Sequence, residues 1–493
     1  MKRALLAFLF LTLPLQIFAN EIDRIVAEKL AGRRIVASPQ SDVERLVRRY
    51  YLVVTDRIPT EAQTQAFIDN PDREALVDSL LLSDGWVRKQ VLKWGDLLRI
   101  KSEFPSCMWP NAVQAYNKWL TEEFRANTPY DKFVRDLLSG TGSNFRVPQT
   151  NFYRAGSDRS PAKFTSDVAL LFLGKRKAPV EWQPFFSQIK FKSTKEWKEE
   201  ILCLDADVVA PRSPLSLGGK TVRLENGTDF RLPFIQWLTS ADNADFARAY
   251  VNRLWFWFMG SGIINPVDDI RPDSVTSDPA LLDYLTDSFI KSGFNVRALA
   301  REILLSEAFT RSTLCNESNR SDTRYWSHYP LTRLSAEQIC DAICDITETS
   351  DKYSSRAPEP FTNFPEGTRS NEVCDGTITT PQLDIFGRPS RDVALESCRD
   401  NSVNSKQMLY LLNSTDIQEK LKSSPYVQRI SREASLREIA DGIYMRVLSR
   451  HASAGEMDVF EKWAKTACYN VKRDAAASLV WALLNTDEFL FIN

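Results

Sequence analysis

Two adjacent carboxylates, Asp268 and Asp269, stand in the stretch VNRLWFWFMGSGIINPVDDIRP (residues 251–272), with Arg271 and Asp273 beside them. Two carboxyl groups about 5 to 9 Å apart can hydrolyse a glycosidic bond, one as acid and the other as base or nucleophile, and Arg271 would then clamp an anion. Adjacent residues of an extended chain point to opposite sides, so one of the pair would need a distant partner. The competing reading is an anchored turn. In it one carboxylate accepts N–H groups after Pro266 and the other pairs with Arg253 or Arg271.

The same stretch offers Asn252 and Arg253 on a helix with Trp255 and Trp257. They read either as the polar wall of a sugar cleft or as part of a buried helix, and WFWF on all sides of one helix favours burial. The segment GTGSNFRVPQTNFYR carries Asn144, Arg146, Asn151, Tyr153 and Arg154 on glycine- and proline-broken chain, where binding groups often sit. In FGRPSR, Arg388 and Arg391 could clamp a carboxylate or sulfate.

Other chemistry is short of parts. His328 and His451 are the only histidines, and C-x-x-C, G-x-S-x-G, H-E-x-x-H, Walker and dinucleotide fingerprints are all missing. No metal or cofactor is therefore read from the sequence. Its 63 basic and 64 acidic residues nearly cancel, which excludes the broad basic field of a nucleic-acid binder. A local excess at Lys175–Lys177, Lys190, Lys192, Lys195 and Lys198 reads as a solvated face or as a site for an anionic polymer.

The elements that must hold these groups are mostly helical. Apolar residues recur at helical spacing in VERLVRRYYLVV, REALVDSLLLS, WVRKQVLKWGDLLRI and ADFARAYVNRLWFWFMG. A hairpin is expected around Asn226-Gly227 in KTVRLENGTDFRL, and long loops at residues 140–163 and 353–384. The expected fold is mainly α: two packed multi-helix domains, 40–204 and 231–493, with a small β-hairpin insertion at 205–230 and long irregular loops. Residues 1–20, with Lys2 and Arg3 before an apolar run and Ala19 at a cleavage point, read as a secretory signal. No later apolar run reaches the ~18–20 residues a membrane span needs. Of the eight cysteines, Cys340 and Cys344 are expected to pack as small apolar groups and Cys374 to bridge Cys398.

An internal echo runs between the two ends. Tyr51, Arg57 and Phe67 share the spacing of Tyr444, Arg450 and Phe460, and the capping box Thr60-x-x-Gln63 is matched by Ser453-x-x-Glu456. LLLSDGW at 80–86 is echoed by LLNTDEF at 483–489.

RIPTEAQTQAF and ALVDSLLLSDGWVRKQVLKWGDLLR resemble the first of two domains of unknown function found together in exported proteins of the planctomycete and verrucomicrobial type. ARAYVNRLWFWFMGSGIINPVDDIRP, RLSAEQICDAI, IFGRPSR and WALLNTDEFLF resemble the second. Many members of that family carry a cytochrome-c-like domain, and many are encoded beside sulfatase-like exported proteins. The resemblance thus implies polysaccharide handling by association. This chain departs from the pattern twice. KRKAPVEWQP follows Gly174 where a typical member has C-x-x-C-H, and LESCRDN replaces a C-x-C-E-R run, leaving only Glu396 and Arg399 on matching positions. Neither a haem role nor a paired-thiol role carries over. The expectation is an exported accessory or binding protein, periplasmic or extracellular, with anionic polysaccharide or a neighbouring exported protein as partner. The rival is a glycan or ester hydrolase using Asp268 or Asp269.

Overall fold

The computed structural model describes residues 20–493 apart from 358, 359, 362 and 468–470, so all but the last residue of the signal sequence read at 1–20 lies outside the described residues. Among these, 22 α-helices and seven strands of two to five residues make the fold mainly α with small β elements. No helix among them is long and apolar enough to cross a membrane. The buried apolar side chains form one contiguous core from Ile22 to Ile492, continuous across residues 205–230.

The helices that matter for function form where the apolar spacing places them. Helix α1 (Val43–Thr55) is capped by Asp42 and buries Leu46, Val47, Tyr50, Val53 and Val54 along one face. Helix α2 (Glu61–Asp69) starts at the Thr60–Gln63 capping box, and α3 (Asp84–Leu97) starts at Ser83, whose hydroxyl accepts the Trp86 N–H. Helix α4 (Ala244–Met259) carries WFWF and is buried on almost every side. Helix α5 (Ala336–Thr347) is capped by the Ser335–Gln338 box. Near the C-terminus, α6 (Leu436–Leu448) and α7 (Ala454–Ala467) repeat the α1–α2 arrangement, with Ser453 and Glu456 exchanging the same two bonds as Thr60 and Gln63. The two copies meet in the fold. Arg48 of α1 donates to the carbonyls of Val447 (2.7 Å) and Phe489 (3.0 Å), both in the C-terminal copy.

Three expectations need correction. The hairpin joins β4 (Leu215–Leu217) to β5 (Lys220–Val222) and turns at Gly218 and Gly219, both at positive φ, as a two-residue loop requires. Asn226 instead accepts the Ala210 N–H at 2.8 Å in a separate turn. The segment expected as one long loop at 140–163 contains strand β1 (Gly142–Ser143) and a 3₁₀ turn at Pro148–Arg154; β1 pairs with β3 (Glu200–Leu204), which also pairs with β2 (Ile189–Ser193). Cys374 and Cys398 are free thiols rather than a disulfide. Guanidinium groups hold that segment: Arg391 donates to the Cys374 carbonyl at 2.5 Å and Arg388 to those of Val373 and Ile378 at 2.9 Å each. Cys340 and Cys344 are buried, and burial pushes both thiols above their ordinary value.

Asp341, on the buried face of α5, accepts the N–H groups of Ser370 (2.8 Å) and Asn371 (3.4 Å), yet burial pushes its carboxyl up to about 7. A carboxyl raised in the folded state contributes stability below its unfolded value of about 3.9, and that contribution is lost as pH rises through about 7. The gap corresponds to on the order of 4 kcal/mol. Denaturant titrations at pH 4 and pH 8 are expected to show that Asp341→Asn removes this component of the pH slope. An unchanged slope would contradict the assignment.

Candidate functional site

The turn after α4 is clamped by side chains from its own neighbourhood. Gly260 closes α4 at φ +69°, the left-handed conformation that glycine adopts without strain. Asn252, fully buried on α4, accepts the Ile264 N–H at 2.8 Å and donates to the Ile264 carbonyl at 2.9 Å. Asn265 grips Gly262 in the same two-way fashion at 3.0 and 2.9 Å. A side chain at Gly174 would meet Ile270 at 2.8 Å, and the Gly174 carbonyl accepts the Ile270 N–H at 2.7 Å. The turn therefore lies directly on the end of the helix Pro161–Leu173.

Within that turn Asp268 and Asp269 serve different partners. Asp268 is 2% exposed; one oxygen lies 3.4 Å from Arg253 Nη2 and the other accepts the Glu396 N–H at 2.7 Å. Arg253 also donates to the Leu171 carbonyl at 2.6 Å. Asp269 is half-buried and sits 3.7 Å from Arg271 Nε. The two carboxylates thus serve different partners, Asp268 lying inside a turn closed by the Asp269 N–H on the Pro266 carbonyl at 3.1 Å.

Arg271 lines an open cleft of about 400 Å³. Lys175 and Arg248 line the same cleft, with Ser274 and Thr276, over apolar surface from Leu173, Ile264 and Ile270. Lys175 pairs with Asp245 at 2.8 Å and Arg248 with Asp283 at 2.9 Å. Arg271, with a side chain 60% exposed, reaches carboxylates only at 3.7 and 3.9 Å, beyond hydrogen-bond distance.

The remaining predicted residues lie elsewhere. Asn144, Asn151, Tyr153 and Arg154 are buried. Asn144 accepts the Glu200 N–H at 2.8 Å, Asn151 donates to the Asn144 carbonyl at 2.8 Å, Tyr153 donates to the Leu138 carbonyl at 2.6 Å, and Arg154 donates to Glu200 at 2.7 Å. They fasten the 3₁₀ turn to β3. Arg146 is exposed. Arg388 and Arg391 do clamp carboxylates, those of Glu337 (3.6 Å) and Asp96 (2.8 Å).

Those contacts belong to a buried charged seam between α3, α4, α5 and residues 388–399 that no sequence motif announced. Arg399 bonds both Glu337 and, at 2.7 Å, Asp96. A second chain runs from Lys93 through Glu396 and Arg253 to Asp268, with Glu396 4.0 Å from both Lys93 and Arg253. Lys89 pairs with Asp56 at 2.5 Å. Burial works to raise Asp96 and Glu337, but Arg399 and its neighbours hold both below the usual carboxylate range; burial leaves Glu396 raised and Lys93 lowered. One signal was available: Lys89, Lys93 and Asp96 recur at i, i+4 and i+7 on one face of α3, the first buried and the other two half-buried, where an ordinary amphipathic helix is apolar.

Comparison with known families accounts for both halves of this arrangement. Residues 21–171 match PSCyt2, a protein of unknown function (DUF1549), and residues 230–464 match PSD1, a protein of unknown function (DUF1553). No curated protein and no solved structure matches the chain. The seam ties Asp96 of the first matched region to Glu337, Arg391 and Arg399 of the second, and the chain belongs to the family of proteins that pair these two domains of unknown function.

Proposed function

We propose that this chain is an exported binding protein that takes an acidic saccharide in the cleft beside the Pro266–Arg271 turn. The observation that carries the reading is Arg271, an exposed guanidinium with no hydrogen-bonded carboxylate, on a concave surface that also presents Lys175 and Arg248. At about 400 Å³ the cleft falls within the range of small-ligand sites, and its lining sets Lys175, Arg248 and Arg271 against Asp245 and Asp283 over apolar surface, a net positive site that suits a sugar ring bearing a carboxylate or sulfate. Export rests on the leader composition, and the polysaccharide class on the resemblance described above. The burial of Asp268 against Arg253 favours binding over hydrolysis, since a general acid or base must reach the bond it cleaves.

The mature chain is expected to bind sulfated or uronate-bearing polymers on a glycan array. Replacing Arg271 and Lys175 together by Met should weaken that binding about tenfold or more, the effect of losing charge-assisted contacts worth 1.4 kcal/mol or more. No signal above background on any acidic glycan, or equal binding by the double variant, would refute the proposal.

A further inference from the structure

A second, smaller cavity lies at the C-terminal end of α4, among α1, α3, α4 and strand β6 (Thr332–Arg333), which pairs with β7 (Phe491–Ile492). Its volume is about 100 Å³. Four cations line it, Lys89, Lys93, Arg333 and Arg399, against one carboxylate, Asp56. Two of the four are already neutralised, Lys89 by Asp56 and Arg399 by Glu337 and Asp96. The other two are not. Lys93 makes no hydrogen bond among the described residues; its ammonium sits 5.8 Å from the Trp257 ring, and its one ion-pair partner, Glu396, is 4.0 Å away and does not line the cavity. One Glu396 oxygen is occupied by the Trp257 indole N–H at 2.7 Å. Among the described residues Arg333, 4% exposed, donates only to the carbonyls of Leu334, Phe386, Asp400 and Asn401, at 2.9 to 3.1 Å, and has no carboxylate within 4.0 Å.

Buried cations ordinarily come paired. Taken together among the described residues, the seam cations Lys89, Lys93, Arg253, Arg388, Arg391 and Arg399, with Arg333 of β6 added, face Asp56, Asp96, Asp268, Glu337 and Glu396, seven cations against five carboxylates. We infer that this cavity is a binding site for a small oxyanion, held by Lys93 under the positive field of Arg333. The volume is enough for sulfate, phosphate or a single carboxylate. A sulfate or carboxylate substituent could enter on a larger molecule, because Lys93 keeps 14% of its side-chain surface exposed. The site is separate from the Arg271 cleft and does not depend on the function proposed for it.

The test is isothermal titration of the mature chain with sodium sulfate, sodium phosphate and sodium acetate, followed by a monosulfated glucose. At least one inorganic oxyanion is expected to bind with 1:1 stoichiometry. Lys93→Met should weaken binding at least tenfold, Lys93→Arg should keep it within a few-fold, and the Arg271/Lys175 double variant should leave it unchanged. Binding of the monosulfated sugar as tightly as free sulfate would mark the ligand as an ester, and weaker binding would mark it as the free anion. The inference is overturned if no oxyanion binds the wild-type chain, or if Lys93→Met binds as well as wild type. Loss of binding in the double variant with retention in Lys93→Met would reassign the anion to the open cleft.

Discussion

Replacing Asp268 by Ala is expected to lower the stability of the folded chain by about 3–5 kcal/mol, the penalty for leaving a buried charge without its partner. The group deprived of its nearer carboxylate is Arg253, 1% exposed and 3.4 Å from Asp268; its other contacts among the described residues are the bond to the Leu171 carbonyl and Glu396 at 4.0 Å. The same change removes the acceptor of the Glu396 N–H, so the loss reaches from the turn after α4 to the segment that carries Arg399. Asp269→Ala supplies the control. Its carboxylate is half-exposed and 3.7 Å from Arg271, so its removal should cost no more than about 1 kcal/mol. Two catalytic carboxylates would instead be nearly neutral for stability when replaced. Denaturant midpoints of the two variants against wild type decide between these accounts. Equal, small effects at both positions would restore the acid–base reading of the pair.

The unequal roles of these neighbours show what the sequence can and cannot carry. Alternation along extended chain predicts that Asp268 and Asp269 diverge; their partners do differ, but the chain there is a turn closed by the Asp269 N–H on the Pro266 carbonyl rather than extended. Helices were legible because their apolar spacing is local, and so were the capping boxes at Thr60–Gln63 and Ser453–Glu456, each closed within four residues. Pairing across long separations was not. Strand β1 meets β3 at Gly142 and Leu202, 60 positions apart, and nothing in a two-residue stretch announces that partner. The arginines of FGRPSR were legible as anion seekers, but their anions turned out to be Glu337 and Asp96 of the same chain. Residue type specified the chemistry; only the fold could specify the partner. The same holds for Lys93 and Arg333: WVRKQVLKWGDLLRI and RLSAEQICDAI were legible as helical and family-like stretches, but only the fold shows that no carboxylate among the described residues hydrogen-bonds either cation.

Glu337 is where loss of one group should do the most damage. Its side chain is fully buried, bonded twice by Arg399 and 3.6 Å from Arg388, while Asp96 takes the other face of Arg399 and also Arg391. Glu337→Gln keeps the volume but leaves three buried guanidinium groups facing one carboxylate, and a loss of about 3–5 kcal/mol at pH 7 is expected. The pH dependence follows from the direction of the shifts. Burial opposes ionisation of Glu337 and Asp96, but the arginines prevail and hold both below their ordinary values. Such groups contribute stability above their unfolded values of about 4, and that contribution is lost as pH falls through the lower folded ones. The gap between wild type and Glu337→Gln should therefore be widest at neutral pH and shrink below about pH 4. A double-mutant cycle with Arg399→Gln separates the pair from general disruption: if the bond matters, Arg399→Gln costs markedly less on the Glu337→Gln background than on wild type. Additive losses would mean that the two residues act independently. Because Asp96 lies in the first family region and Glu337 in the second, this seam is also the joint between them. If it holds the two regions as one cooperative unit, calorimetry of Glu337→Gln should resolve two thermal transitions where wild type gives one. A single unshifted transition would place the joint elsewhere in the shared core.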